Sequence, residues 1–553
     1  MIRISQIKIP VEKMQKGEHD DLQSELFAKA SAYLRVNSSE IDTMRIRKMS
    51  VDARKKPQIF YVYTVDLSLK KKEKEKKIAS ASKQAEYMPD EKQIYRFVQS
   101  GSERLTHRPV VVGSGPCGLF AAYMLAKAGY RPLILERGGD VSERTEKVEA
   151  FWKDRSKLDC NCNVQFGEGG AGAFSDGKLN TMVKDPMGRY ERMLDILYEH
   201  GGPEDIRYRS KPHIGTDLLK AVVTDMRREM TELGAEYRFH AQVTDIRICN
   251  GQLAALEINH AEWLDAEAAV FSIGHSARDT FVMLNKRGIP MEAKPFAVGL
   301  RIQHPQDMIN TAQYGADYPE ELPASDYKLT GKSERTGRGV YSFCMCPGGY
   351  VVNASSEVGY LAVNGMSNHD RSGENANSAL IVTVTPKDYR EYSLSCDLPE
   401  ELYGVAYQRY LEGAMYELCD GRIPIQLYGD FKTGNVTRAL GEVKPAMKGE
   451  YAFADLRHAL PKEIADSLED AITAFGKKIQ GFDREDCILA GIESRSSSPV
   501  RIPRTEDFTC SVCRGFYPAG EGAGYAGGIS SAAIDGMKVA EAIAARYAIP
   551  DAD

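Results

Sequence analysis

The sequence predicts an α/β protein in which a discontinuous domain of parallel strands and helices carries a mixed α+β insert and is preceded by a small α+β module. Three observations predict it. Glycines at 113, 115 and 118 stand between an apolar strand and a helix, and a second glycine cluster, "FYPAGEGAGYAGGISSAAIDG" at 516–536, again separates a strand-like segment from a helical pattern. Between about residues 290 and 485 the pattern changes to strands and turns, then mostly helices, which divides the α/β chain into two parts. With 553 residues, 42% of them hydrophobic, the chain buries a large core and divides into two or three units.

The first unit spans residues 1–90. "IRISQIKI" alternates apolar and polar residues, "DDLQSELFAKASAYLR" has helical spacing, and "EIDTMRIRKMSV" and "QIFYVYTVDLSL" return to strands, an order that predicts a ferredoxin-like α+β module. "KKKEKEKKIASASKQ" then reads as a solvated linker or helix surface. Residues 1–80 hold 18 Lys and Arg against 11 Asp and Glu, so this module is basic on an acidic body. RNA or an acidic protein is one partner such a surface suits, but its lysines alternate with glutamates and no aromatic side chains stand among them.

Residues 100–288 form the first part of the α/β domain. Strand "RPVVVG", helix "GLFAAYMLAKAGY" and strand "RPLILER" follow one another, with G-x-G-x-x-G spacing at Gly113, Gly115 and Gly118 and with Pro116 opening the helix. The first glycine permits a tight turn, the second lets backbone approach a pyrophosphate, and the third lets the helix lie close on the sheet. Glu136, at the end of the next strand, stands where a carboxylate accepts hydrogen bonds from a ribose, with Arg137 beside it. This is a Rossmann-like dinucleotide site. The later helix "TDLLKAVVTDMRREMTELGA" takes Thr216 as its N-cap, followed by strands "EYRFHAQVTDIRI" and "AEAAVFSIG", the latter ending at Gly274. An insert spans 289–485, and residues 486–548 complete the domain, the last strand returning beside the first.

NAD and FAD both satisfy the glycine triplet. FAD is favoured by the second glycine loop "NVQFGEGGAGAFSDGKLN", which contains Gly169 and Gly170, by the strand ending at Gly274, and by the late strand with Gly520, Glu521 and a helix starting near Ser530. A second G-x-G-x-x-G unit and a C-x4-C pair are both absent, so the sequence predicts no dedicated nicotinamide domain.

Net charge is -6 and the pI about 6.0, which excludes a general affinity for nucleic acid or anionic membrane and favours a small-molecule substrate. No apolar run reaches membrane-spanning length, and eleven scattered cysteines suit reduced thiols, so a soluble cytoplasmic protein is expected. Four groups of residues are candidates for chemistry. Cys344 and Cys346 in "CMCPGG" could exchange electrons or supply a thiolate, or pack as small buried residues. His275 and Arg278 follow the strand end at Gly274. Arg495 and Arg501 in "ESRSSSPVR" could supply positive charge or bind a carboxylate. Cys510 and Cys513 form a lone C-x-x-C, too little for zinc, and Cys160 and Cys162 precede the second glycine loop. Cys117 is a small residue inside the first glycine turn. No metal site is expected.

"SVDARKK", "FGEGGAGAFSDGKL", "HIGTD", "IGHSARDT", "KPFAVGLRIQHPQ", "YSFCMCPGG", "ESRSSSPVR" and "GEGAGYAGGI" together resemble a bacterial family of FAD-dependent dehydrogenases along nearly the whole chain, within the FAD-binding superfamily of glutathione reductase and p-hydroxybenzoate hydroxylase. The resemblance implies noncovalent FAD, with Gly113, Gly115 and Gly118 at the pyrophosphate, Glu136 at the ribose and the Val243 backbone at adenine. It places Gly520 and Glu521 at the ribityl chain and Gly528 and Ile529 at the flavin pyrimidine ring, with Glu521 replacing the superfamily's Asp. A dehydrogenase passing a hydride or electron pair to or from flavin N5 is implied. The alternatives are a monooxygenase with NAD(P)H as a transient donor, and a non-enzymatic FAD-holding protein that engages RNA or a protein through the basic module.

Overall fold

The structure, a computed structural model, describes residues 1–13, 19–89, 95–394 and 396–550; the module boundary suggested at residue 90 lies outside them. Its centre is a five-stranded parallel sheet in the order Phe516–Pro518, Ala269–Phe271, Val110–Val112, Leu133–Leu135 and Glu236–Arg238. The inner strands are continuous apolar runs because both faces are covered by other layers. Helix Pro116–Lys127 lies close on this sheet: a Cβ on Gly118 would stand 1.9 Å from the Gly113 carbonyl oxygen. Helix Ile529–Arg546 packs on it in turn, where a Cβ on Gly536 would stand 2.1 Å from the Cys117 carbonyl oxygen. Both glycines therefore set helix separation rather than a turn.

The last strand pairs with Ala269–Phe271, not directly with Val110–Val112, so it returns one place further out than the sequence suggested. Strand order depends on contacts across the chain, which local pattern does not carry. Residues 236–248 likewise divide: Glu236–Arg238 edges the parallel sheet, while Val243–Cys249 opens a separate antiparallel sheet with Gln252–Ile258 and Glu262–Asp265. Thr216 is the first residue of helix Thr216–Glu232 rather than its cap; Gly215 holds the cap position, and the Thr216 hydroxyl donates to the Ser175 carbonyl at 2.7 Å.

The intervening segment builds a seven-stranded sheet ordered Thr330–Lys332, Gly339–Cys346, Asn375–Val384, Phe296–Pro305, Ile488–Glu493, Ile423–Leu427 and Tyr451–Phe453. Strand Ile488–Glu493 belongs here, so this sheet continues past residue 485. Helices Tyr403–Cys419 and Lys462–Gly476 cover it and share its apolar core.

The amino-terminal strands pair in the order 41–55, 58–69, 2–10, 85–87, all antiparallel, with helix His19–Leu34 between the first two in sequence. This is the ferredoxin-like arrangement. Part of the lysine-rich run is helix Glu75–Ser80, whose buried Glu75 accepts hydrogen bonds from the chain's amino terminus at 2.6 Å and from the Leu69 N–H at 2.9 Å. Tyr314 and Leu322 of the insert complete the module's core. Among the described residues no helix is long and apolar enough to cross a membrane.

Candidate functional site

At the carboxyl ends of the parallel strands, where ligands bind in open α/β sheets, lies a cavity of about 570 Å³. Gly113, Gly115, Pro116, Glu136, Arg137, Gly170, Val243, Gly274, His275, Glu521, Gly528 and Ile529 line it, as do Cys344 and Arg495. Gly118, Gly169, Gly520 and Cys346 stand behind its surface. Residues separated by hundreds of positions thus face one space.

The first glycine turn is held from inside. Glu136, 4% exposed, accepts from the Ser114 N–H at 2.9 Å and the Ser114 hydroxyl at 2.7 Å on one oxygen, and from the Gly138 and Gly167 N–H groups at 2.9 and 3.0 Å on the other. A carboxylate offers about four acceptor positions. All are filled by the protein, so Glu136 organises the turn and ties it to the second glycine loop. The Gly169 N–H also donates to the Ser114 carbonyl at 3.0 Å.

Arg144 organises that second loop and was not anticipated. Wholly buried, it donates to the carbonyls of Asn163 at 2.9 Å, Val164 at 3.0 Å, Gly167 at 3.3 Å, Glu168 at 2.6 Å and Gly170 at 2.9 Å. Burial lowers its pKa to about 10, so it remains a cation at neutral pH. The loop so held meets the turn directly: a Cβ on Gly170 would be 2.7 Å from Gly115 Cα. Gly172 approaches both Pro116 and Ile529, so the turn, the loop and the late helix start converge at one place.

The late glycines are fixed by Asp535, whose carboxylate accepts from the Gly520 N–H at 2.8 Å and pairs with Arg504 at 2.6 Å. Glu521 lies 3.3 Å from His275 Nδ1, while His275 Nε2 is buried without a hydrogen-bond partner. At Gly274, Gly527 and Gly528 an added Cβ would meet nothing within 4 Å, yet all three line the cavity. The chain keeps this space clear of its own side chains. A cavity lined by a glycine turn, two helix starts, an orphaned imidazole nitrogen, an acid and bare backbone fits a dinucleotide carrying a ring system.

The insert supplies the opposite wall. Arg301, wholly buried, donates to Glu493 at 2.8 Å, Asn377 at 2.9 Å and the Cys344 carbonyl at 2.7 Å, and its guanidinium reaches Cys346 Sγ at 3.8 Å. Lys178, from the second glycine loop, contacts the Met345 carbonyl and pairs with Asp176 at 3.0 Å. The neighbouring Cys346 thiol brings the Cys344 pKa down against the opposing effect of burial, with Arg301 and Lys178 adding to the lowering. The same coupling and burial push Cys346 well up, and its thiol donates to the Cys344 carbonyl at 3.2 Å. Burial raises Glu493, only partly offset by Arg301.

The chain is similar to several known proteins. A protein of Clostridium beijerinckii, itself uncharacterised, is 46% identical over 553 residues, covering 99% of both chains. A family model described as "FAD-dependent protein, C-terminal domain-like" matches residues 295–496, one for an NAD(P)-binding Rossmann-like domain matches 111–167, and a domain of unknown function matches 1–68. The chain belongs to the same family as the Clostridium beijerinckii protein, and its residues 295–496 carry that family's FAD-dependent protein, C-terminal domain-like unit. Solved structures similar to it include L-proline dehydrogenase from P. horikoshii, 12% identical over 81% of this chain and 94% of the other, with TM-score 0.31. Glycine oxidase from Bacillus cereus is 12% identical over 79% and 95%, with TM-score 0.31, and the flavin-dependent brominase Bmp2 is 14% identical over 79% and 78%, with TM-score 0.36.

The other arginine candidates are held by the protein's own groups. Arg278 is buried against Glu412 at 2.7 Å and Glu357 at 2.6 Å and does not line the cavity. Arg495 does, but its guanidinium is held by Glu412 at 2.8 and 3.0 Å and by the Ser356 hydroxyl at 2.6 Å. Arg501 stacks over Tyr525 at 4.7 Å. Cys510 and Cys513 are buried free thiols under the last strand, Cys160 is exposed and Cys162 buried, and no cluster of metal-ligating side chains occurs among the described residues.

Proposed function

We propose that this member of the family is a dehydrogenase that holds FAD noncovalently along the cavity and exchanges an electron pair between the flavin and a small-molecule substrate. The observation that carries the reading is the single cavity shared by the turn at Gly113–Gly118, the helix start at Ile529 and the insert strand Gly339–Cys346. The N-terminal N–H groups and dipole of helix Pro116–Lys127 would hold the pyrophosphate. Arg137, stacked 4.3 Å over Phe166, and Val243 would flank the adenosine end. Glu521 would accept from ribityl hydroxyls and keep His275 oriented, and the N–H groups at Gly528 and Ile529 would favour negative charge on the ring. FAD, when bound, supplies a two-electron carrier that accepts or donates a hydride equivalent. The insert wall would limit water at that end of the cavity, where Arg301, paired with Glu493, and Lys178, paired with Asp176, stand.

Purified protein should be yellow and should release one FAD per chain on denaturation; a colourless preparation that also fails to take up added FAD overturns the proposal. Anaerobic mixing of the oxidised protein with NADH, NADPH and a metabolite panel separates the reactions. Bleaching by a metabolite and by neither nicotinamide supports a dehydrogenase. Rapid reduction by NADPH followed by oxygen consumption supports the monooxygenase alternative instead.

A further inference from the structure

The strand Gly339–Cys346 is irregular at one place, and that place faces the cavity. Its pairing with Asn375–Val384 shifts between Phe343 and Cys346, where three steps on one strand oppose two on the other. One residue is therefore extra, a β-bulge, and bulges re-aim side chains beside functional sites. Within it Cys344 has φ +43°, a left-handed conformation that is strained for a residue other than glycine. Cys344 reaches the cavity lining while Cys346, fully buried, remains behind it and donates its thiol to the Cys344 carbonyl at 3.2 Å.

The surroundings are built for sulfur that carries charge. The Arg301 guanidinium touches both residues of the pair, and Gly365 leaves it room: a Cβ there would stand 2.2 Å from an Arg301 nitrogen. Lys178 approaches from the opposite segment through the intervening Met345 carbonyl. Each cation keeps its own carboxylate, Glu493 at 2.8 Å for Arg301 and Asp176 at 3.0 Å for Lys178, so the thiols lie beside two ion pairs whose cationic ends face them; a cation beside a thiol favours the thiolate, the reactive form. Simple packing explains a small buried residue at Cys346, but not the strained bulge that brings Cys344 to the cavity lining.

We propose that Cys344 and Cys346 are a redox-active dithiol in the cavity wall, Cys344 meeting the reacting molecule and Cys346 acting as its resolving partner, and that the pair exchanges two electrons with bound FAD. The proposal rests on the FAD reading above. In the oxidising direction one Sγ–Sγ bond forms, the thiol protons are lost, and the electron pair passes to the oxidised flavin, which takes up one proton while the other goes to solvent. In the reverse direction reduced flavin returns the pair, the Sγ–Sγ bond breaks, and two protons restore the thiols. A disulfide spanning one residue in a strained bulge is a poor, readily reduced disulfide, as an electron relay requires.

The test uses the holoprotein, with its flavin content per chain measured first. The protein is oxidised with excess diamide, desalted, and titrated anaerobically with dithionite while the flavin absorbance is followed. Wild type should consume two electron pairs per flavin, and Cys344→Ser and Cys346→Ser one pair each. Peptide mapping of the oxidised wild type should show Cys344 linked to Cys346. Consumption of a single pair by wild type, with both thiols unlinked, overturns the proposal, and so does a second pair that persists in both variants. If the protein holds no flavin, the FAD reading has failed by itself, and mapping still decides whether the thiols link: unlinked thiols overturn the pair independently.

Discussion

Replacing Glu136 separates two roles for one carboxylate. Were it to act on a ribose alone, Glu136→Gln would weaken FAD by about 1.5–3 kcal/mol, the worth of hydrogen bonds to a charged group, and would leave the flavin-free protein unchanged. The structure requires more, because both oxygens already accept from Ser114, Gly138 and Gly167. An amide nitrogen in place of either oxygen faces buried donors, and a buried donor left unpaired costs about 1–3 kcal/mol. The remaining bonds lose their charge assistance, which accounts for roughly half their strength. A local loss of about 3 kcal/mol follows, about a hundredfold in an opening equilibrium. Hydrogen exchange on flavin-free protein reads it directly: amides of Val110–Val112 and Leu133–Leu135, the strands on either side of the turn, should exchange about a hundredfold faster in Glu136→Gln. Unchanged exchange there, with weakened FAD, would refute the assignment of Glu136 to the turn and restore the ribose role alone.

Three other perturbations test different parts of the molecule. Gly528→Val puts its side chain into open cavity from an extended backbone of φ 170°, so the variant should unfold like its parent yet carry little flavin, measured as FAD per chain. Glu412→Gln leaves the Arg495 guanidinium buried without its carboxylate and Arg278 with Glu357 alone, and should lower stability by about 3–5 kcal/mol in urea unfolding. His304 is fully buried, with burial lowering its pKa from 6.5 to about 4, and its Nε2 donates to the Phe482 carbonyl at 2.7 Å. The unfolded chain therefore takes up a proton first: its contribution is complete above pH 6.5 and declines as pH falls toward 4, by about 3 kcal/mol in all. His213, also lowered to about 4 by burial, adds to the same window, so His304→Asn should flatten part of the decline between pH 6.5 and 4.

What the sequence showed was what short-range chemistry dictates. Glycines at 113, 115 and 118 are legible because a tight turn, a phosphate approach and a close helix each forbid a side chain within a few residues. Partners chosen across the chain left no such mark. Arg144 stands in "VSERTEKVEAF", where its neighbours Glu143, Glu146 and Lys147 give the pattern of a solvated helix face. Nothing local distinguishes it, although a loop as rich in glycine as 163–170 needs donors for its carbonyls, and a buried arginine is the side chain with enough of them. Arg278 misled for the converse reason: an arginine next to a predicted strand end suggests a ligand, whereas its partner Glu412, which also engages Arg495, lies on helix Tyr403–Cys419 of the insert.

The insert explains why one wall of the cavity was the harder half to read. The parallel sheet provides backbone, which glycine spacing reveals. The insert provides side chains, and those reach the cavity only through the register of a seven-stranded, mostly antiparallel sheet. Within it Arg301 of Phe296–Pro305, Cys344 of Gly339–Cys346 and Glu493 of Ile488–Glu493 come together from three strands. A single-residue slip in any of them would turn these groups to the opposite face. The apolar runs that fix the register, such as "ALIVTV" and "CILAGIE", identify strands without naming their neighbours. Register also accounts for the bulge at Cys344: Phe343 and Cys346 keep their partners Ala379 and Asn377, so the extra residue between them must leave the ladder. Removing the extra residue should return the strand to regular pairing and withdraw the thiol from the cavity, which makes deletion of Met345 a structural control for the thiol pair. If dithionite uptake after that deletion still equals that of wild type, sulfur at this position has no part in the electron count.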